Sequence, residues 1–138
     1  MTMIQVANLT RRFGRVTAVD DLSFEVKRGE IVGFLGPNGA GKTTTMRILS
    51  GYLPATAGSV TVAGFDVFRD SLEVRRRIGY LPETVPLYTD MRVNEYLHYR
   101  GRLKGLSGRK LKSRIDEVIG SCGLEEVSKR VIEHLSKG

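Results

Sequence analysis

Eight consecutive residues, Gly36-Pro37-Asn38-Gly39-Ala40-Gly41-Lys42-Thr43, constrain this chain more than any other feature. They follow an apolar run, Ile31-Val32-Gly33-Phe34-Leu35, and open a helix-compatible stretch over 44–50. They match the P-loop pattern G-x-x-x-x-G-K-[ST] at every fixed position. Each residue type answers a physical need. Glycines let the backbone curl until successive N–H groups point inward at phosphate oxygens. The following helix, from Thr44 on, aims its positive end at the same phosphates. Lys42 offers a compact charge to the β- and γ-phosphates, and the Thr43 hydroxyl is a hard ligand suited to Mg²⁺. A glycine-rich turn joining a strand to a helix is the plain alternative. The complete pattern in a strand-before, helix-after context argues against it.

The chain has 138 residues, 41% hydrophobic and 27% charged, which is ordinary globular composition. Its one cysteine, Cys122, excludes an internal disulfide and a cysteine-rich metal site. Cys122 falls on the apolar stripe of a predicted helix, so buried packing is its expected role. No apolar run approaches the ~18 residues of a membrane span, and Met1-Thr2-Met3-Ile4-Gln5 lacks the order of a signal peptide. A soluble protein is expected, so that any membrane role would work through a partner or a surface. The net charge of +7 is local: 92–114 holds eight bases and one acid, a surplus equal to that of the whole chain. A solvated helical face is the first reading of this stretch, and a face turned toward acidic headgroups the second. No aromatic interleaving follows Tyr99, so a stacking surface for nucleic acid is not indicated.

Along the chain, 4–9 and 22–26 alternate apolar and polar residues, as half-exposed strands do. The nearly all-apolar 31–35 reads as a strand covered on both faces. A helix of about two turns follows the P-loop until Gly51 and Pro54 stop it. Another alternating strand spans 58–62. Ser71 can cap a short helix reaching Arg77, and 78–81 is a short apolar strand ended by Pro82. Helical periodicity takes over from Asp90. Leu111, Ile115, Val118, Ile119 and Cys122 form one amphipathic stripe, and Gly101, Gly105 and Gly108 separate its helix from the one before. Leu124, Val127, Val131 and Leu135 mark a further apolar edge. The expected division is 1–82, a partial P-loop α/β core, and 83–138, a helical subdomain.

These pieces, in this order and over the whole chain, resemble the nucleotide-binding domain of ABC ATPases. The resemblance implies an α/β P-loop NTPase (RecA-like) fold, of which this is the N-terminal part, with a helical subdomain and without the C-terminal half of the core. It implies ATP and Mg²⁺ as ligands, with Gly36, Pro37, Asn38, Gly39, Ala40, Gly41, Lys42, Thr43 and Thr44 around the phosphates. Asn8-Leu9-Thr10-Arg11-Arg12-Phe13-Gly14 is similar to the family's N-terminal strand, with Phe13 as the adenine platform and Val19 flanking the base. Tyr80-Leu81-Pro82-Glu83 is similar to the strand leading to the Q-loop. Glu83 stands where most members carry Gln, and it could reach Mg²⁺ beside Thr43. With Pro86-Leu87-Tyr88, that phrase resembles exporter ATPases paired with ABC-2-type permeases, including gliding-motility and multidrug-export proteins. Leu135-Ser136-Lys137-Gly138 resembles the start of the signature L-S-G-G-Q, which faces ATP held by the other subunit.

Further implied features lie outside these residues. They are the helix opened by the signature, an apolar run ending in Asp-Glu that holds Mg²⁺ and supplies the general base, and a switch histidine. Neither His98 nor His134 stands in for the last, since both precede the signature. No catalytic residue is therefore confirmed, and the chain read as cut at its signature is expected not to turn over ATP alone. Three functions stay open. One is an ATPase subunit that forms a homodimer, drives a separate membrane permease and sits peripherally on the cytoplasmic face of the membrane. The second is a soluble ABC-type ATPase acting on nucleic acid or the ribosome. The third is a nucleotide-binding remnant without catalysis. The first is preferred, with no direct contact to nucleic acid expected.

Overall fold

The computed structural model describes residues 1–136. They divide into two compact units, Met1–Tyr80 and the residues from Leu81 onward. The first unit is built on an antiparallel sheet in the order β2-β1-β3-β4. Its strands are β1 (Thr2–Phe13), β2 (Val16–Lys27), β3 (Ala57–Val62) and β4 (Phe65–Asp66). Helix α1 (Lys42–Leu49) lies between β2 and β3, and α2 (Ser71–Arg77) follows β4. Apolar residues from both layers close the core, with Leu9, Ile48, Val60, Val67 and Val74 fully buried.

The alternation in β1 is interrupted, and the interruption is what fills the core. Val6 and Leu9 are both buried although they lie on opposite parities of the strand. A register shift between them resolves the conflict. Asn8 takes a left-handed backbone, φ 50°, which asparagine tolerates better than most residues, and the strand turns Leu9 inward. The Asn8 side chain donates to Asp21 Oδ1 at 2.8 Å, and the Asn8 N–H donates to Ser23 Oγ at 2.8 Å, so β2 holds the bulge. Opposite it, Gly58 comes so near that a Cβ would collide with the Asn8 carbonyl.

Two expected strands are not formed. Residues 31–35 and 78–81 have no regular secondary structure. Ile31 and Leu35 are 102% and 94% exposed, and Leu81 is also exposed. In the first segment the Phe34 ring lies 5.8 Å from that of Phe24. An apolar strand of a parallel sheet is held by ladders on its flanks, and among the described residues no strand flanks either segment. Ser71 is the first residue of α2 rather than its cap; Asp70 occupies that position.

The second unit carries α3 (Val93–Leu103), α4 (Gly108–Ser121) and two short 3-10 turns. The Arg92 N–H donates to Glu95 Oε2 at 2.8 Å at the start of α3. Gly101 lies inside α3 and Gly108 opens α4, so of the three glycines Gly105 alone stands between the helices, and a Cβ at Gly101 would collide with Leu111 of α4. The returning chain pairs with the entry to α3: the Val93 and Asn94 N–H groups donate to the Arg130 and Ser128 carbonyls at 3.1 and 2.9 Å. Leu111 and Ile115 are buried as the stripe requires. Cys122 is exposed, against expectation, because α4 ends at Ser121 and the stripe does not continue past it.

Candidate functional site

The octapeptide occupies the connection into α1, and Lys42 is the first helical residue. Gly41 precedes it with φ 87°, a left-handed conformation that glycine adopts without strain. Space dictates glycine here as well: a Cβ would collide with the Ala18 carbonyl oxygen and lie 3.0 Å from Val19 Cγ2. The loop is therefore pressed against β2. Thr45 anchors it from the helix side, its N–H and its hydroxyl both donating to the Gly41 carbonyl, at 2.8 and 3.0 Å. Gly39, φ 85°, faces open space on the outer side of the loop.

The Lys42 ammonium folds back over the loop, donating to the Gly36 carbonyl and to the Pro37 carbonyl, the latter at 2.7 Å. The Ala40 N–H closes a tight turn onto the same Pro37 carbonyl at 3.2 Å. Among the described residues no side chain caps α1, and its first turn holds no acid. The helix N-terminus thus has neither a capping oxygen nor a carboxylate competing for its N–H groups. Together with Lys42 and the exposed Thr43 hydroxyl, this donor set suits an anion bearing several oxygens and a hard cation beside it. Asn38 and Ala40 are exposed on the loop, and Thr44 is half-buried in the helix.

Phe13 ends β1 with 45% of its surface exposed. The Arg11 guanidinium lies over its ring, 4.5 Å from the centroid. Val19 is 6% exposed and belongs to the core, where it supports Gly41. Phe13, Val19 and the P-loop thus all belong to the first unit, while Glu83 lies in the second, exposed in a bend after Pro82. Leu135 follows the last 3-10 turn, its N–H donating to the Ile132 carbonyl at 3.0 Å, and Ser136 is exposed. Lys137 and Gly138 lie outside the described residues. His98 and His134 are both exposed. Two contributors escaped the sequence reading. Arg11 stands two residues before Phe13, on the same side of a strand, the one signal that could have marked it. Thr45 looks like any helical threonine.

In the basic stretch, Arg114 pairs with Glu117 at 2.6 Å, which raises the pKa of the guanidinium. Among the described residues no helix is long and apolar enough to cross a membrane.

Comparison with known proteins gives one consistent result. The family model described as "ABC transporter" matches residues 19–138. The linearmycin resistance ATP-binding protein LnrL of Bacillus subtilis (strain 168) is 38% identical over 99% of this chain and 44% of its own length. The bacitracin transport ATP-binding protein BcrA of Bacillus licheniformis is 37% identical, with the same coverage of each chain. The probable multidrug ABC transporter ATP-binding protein YbhF of Escherichia coli (strain K12) is 36% identical over 99% of this chain and 24% of its own. A solved structure described as an ATP-binding subunit of an ABC transporter superposes with a TM-score of 0.86 at 29% identity, over 98% of this chain and 56% of the other. The chain thus spans less than half the length of these curated relatives. With its loop geometry and these matches in agreement, the chain belongs to the ABC transporter family of ATP-binding proteins and has the P-loop α/β fold of that family.

Proposed function

We propose that this chain is the nucleotide-binding part of an ATPase subunit that couples ATP binding and hydrolysis to transport through a separate membrane permease. The observation that carries the reading is the uncapped, acid-free start of α1, with Lys42 and Thr43 at its first two positions and Gly41 pressed against β2. Lys42 releases the Gly36 and Pro37 carbonyls and turns to the β- and γ-phosphates. The N–H groups of 39–44 surround the phosphate oxygens, with Gly36, Pro37 and Asn38 shaping the loop. Phe13 stacks on the adenine, with Val19 at the edge of the base. Mg²⁺, when bound, neutralises phosphate charge, and the Thr43 hydroxyl is an oxygen of this unit that would hold it. Leu135, Ser136, Lys137 and Gly138 face the ATP of a second subunit in a homodimer.

The names of the relatives, which speak of resistance and multidrug transport, favour export. The working place is then the cytoplasmic face of the cell membrane, reached through the permease. Titration of ATP against wild type and Lys42→Ala tests the nucleotide site. Loss of the charge-assisted contacts should weaken binding roughly tenfold or more. Equal affinities would remove Lys42 from the site. The 138 residues lack the apolar run ending in Asp-Glu that the family resemblance makes the water-activating element. By themselves they should release no phosphate above a Lys42→Ala control, and Lys42-dependent turnover would refute that assignment.

A further inference from the structure

We infer that Arg11 is a positioning residue for the adenine platform: its guanidinium braces one face of Phe13, so that the opposite face alone receives the base. The inference rests on the proposed role of Phe13. Its geometry is independent of that role. The Arg11 guanidinium carbon lies 4.5 Å from the Phe13 centroid, well within the range where the ring quadrupole attracts a cation. The same group donates from Nη1 to the Pro54 carbonyl at 3.0 Å. Its Nε is buried and has no hydrogen-bond partner among the described residues. A buried donor left unpaired is costly, so the placement of this side chain is not simply its most favourable one for hydrogen bonding.

The tie runs in two directions. Pro54 stands in the loop leaving α1, the helix that Lys42 begins. The Arg12 N–H donates to Thr56 Oγ1 at 3.0 Å and the Thr56 N–H to the Thr10 carbonyl at 2.8 Å, fixing the end of β1 to that same loop. On the other side, Arg11 pairs across the hairpin with Val19, which abuts Gly41. Phe13 is thereby held in register with both ends of the phosphate-binding segment. A half-exposed ring at a strand end would otherwise turn freely, and stacking would have to order it. A ring already braced on one face avoids that ordering cost.

The test is a titration of Mg²⁺-ATP and of Mg²⁺-tripolyphosphate, which lacks the base, against wild type, Arg11→Met, Arg11→Lys, Phe13→Ala and the Arg11→Met/Phe13→Ala pair. Arg11→Met should weaken ATP binding by about three- to tenfold and leave tripolyphosphate unchanged. In the Phe13→Ala background, Arg11→Met should add nothing. If Arg11→Met does not fold, Arg11→Lys carries the test: it keeps a cation but loses the planar fork, and a smaller loss confined to ATP is expected. Equal losses for both ligands would reduce Arg11 to a structural tie and overturn the inference. So would an unchanged ATP affinity in Arg11→Met when Phe13→Ala weakens it. An unchanged affinity in Phe13→Ala would instead remove the adenine-platform reading, and the inference with it.

Discussion

Apolar stretches of the first unit meet opposite fates. In β1 and β3, Leu9 and Val60 are completely buried. In 31–35, an even more apolar run, Ile31 and Leu35 stand in solvent. Hydrophobicity does not separate them; the origin of the partner strand does. β1 meets β2 through a turn at Gly14, and β3 returns antiparallel onto β1, so each strand has its ladder within the described residues. Residues 31–35 are followed at once by the P-loop and α1, the arrangement that leads to a parallel neighbour rather than a hairpin. No such neighbour is found among the described residues. A buried strand is thus a property of a pairing, and the residues of 31–35 specify only one half of it.

The comparison can be broken by substitution. The largest effect is expected on the formed side. Leu9→Ala removes a fully buried side chain at a bulge held by β2 and should cost about 2–5 kcal/mol in a denaturant or thermal unfolding series. A loss below 1 kcal/mol, the order expected of an exposed site, would show that the sheet is not the cooperative core.

A smaller effect concerns the turn from β4 into α2. The Asp66 carboxylate accepts the Phe68 and Arg69 N–H groups, both at 2.9 Å, and these bonds, that of Arg69 first, hold its pKa below the ordinary value. A carboxyl whose folded pKa is depressed stabilises the fold above its unfolded pKa. That contribution is lost as pH falls through the folded value. Asp66→Asn should therefore destabilise at neutral pH, and its difference from wild type should shrink on acidification below the usual carboxylate range. Unfolding measured across pH 2 to 7 (about the span in which carboxylates titrate) checks this, and a difference independent of pH would refute it.

The smallest effect is expected on the unformed side. Leu35→Ser replaces a side chain that is already in water and should change the stability of these residues by no more than about 0.5 kcal/mol in the same unfolding series. A loss comparable to that of Leu9→Ala would mean that 31–35 is packed after all.

The same contrast explains what could be read in the residues. Patterns governed by near neighbours were legible. The alternation in 22–26 and 58–62 placed β2 and β3, and the stripe of Leu111 and Ile115 placed α4. The glycine-lysine-threonine end of the octapeptide falls where α1 begins. Distant or local-geometric effects were not. The bulge at Asn8 depends on side chains of β2, and the exposure of Cys122 on where α4 stops. The i, i+2 spacing of Arg11 and Phe13 was the one sign of their contact, and it was easily passed over because a cation in an alternating strand reads as solvent-facing. Within the candidate site, the loop was visible as a motif, whereas its contact with Ala18 and Val19 required the fold.

Amide hydrogen exchange with and without Mg²⁺-ATP, in wild type and Lys42→Ala, tests the phosphate-binding assignment most directly. In wild type, the amides of 39–44 should slow by roughly tenfold or more at saturating nucleotide, as loop N–H groups are taken up by phosphate oxygens. Lys42→Ala at the same nucleotide concentration should show a much smaller change. Unchanged exchange at 39–44, with nucleotide-dependent slowing elsewhere in the chain, would contradict the assignment of this loop to phosphate binding.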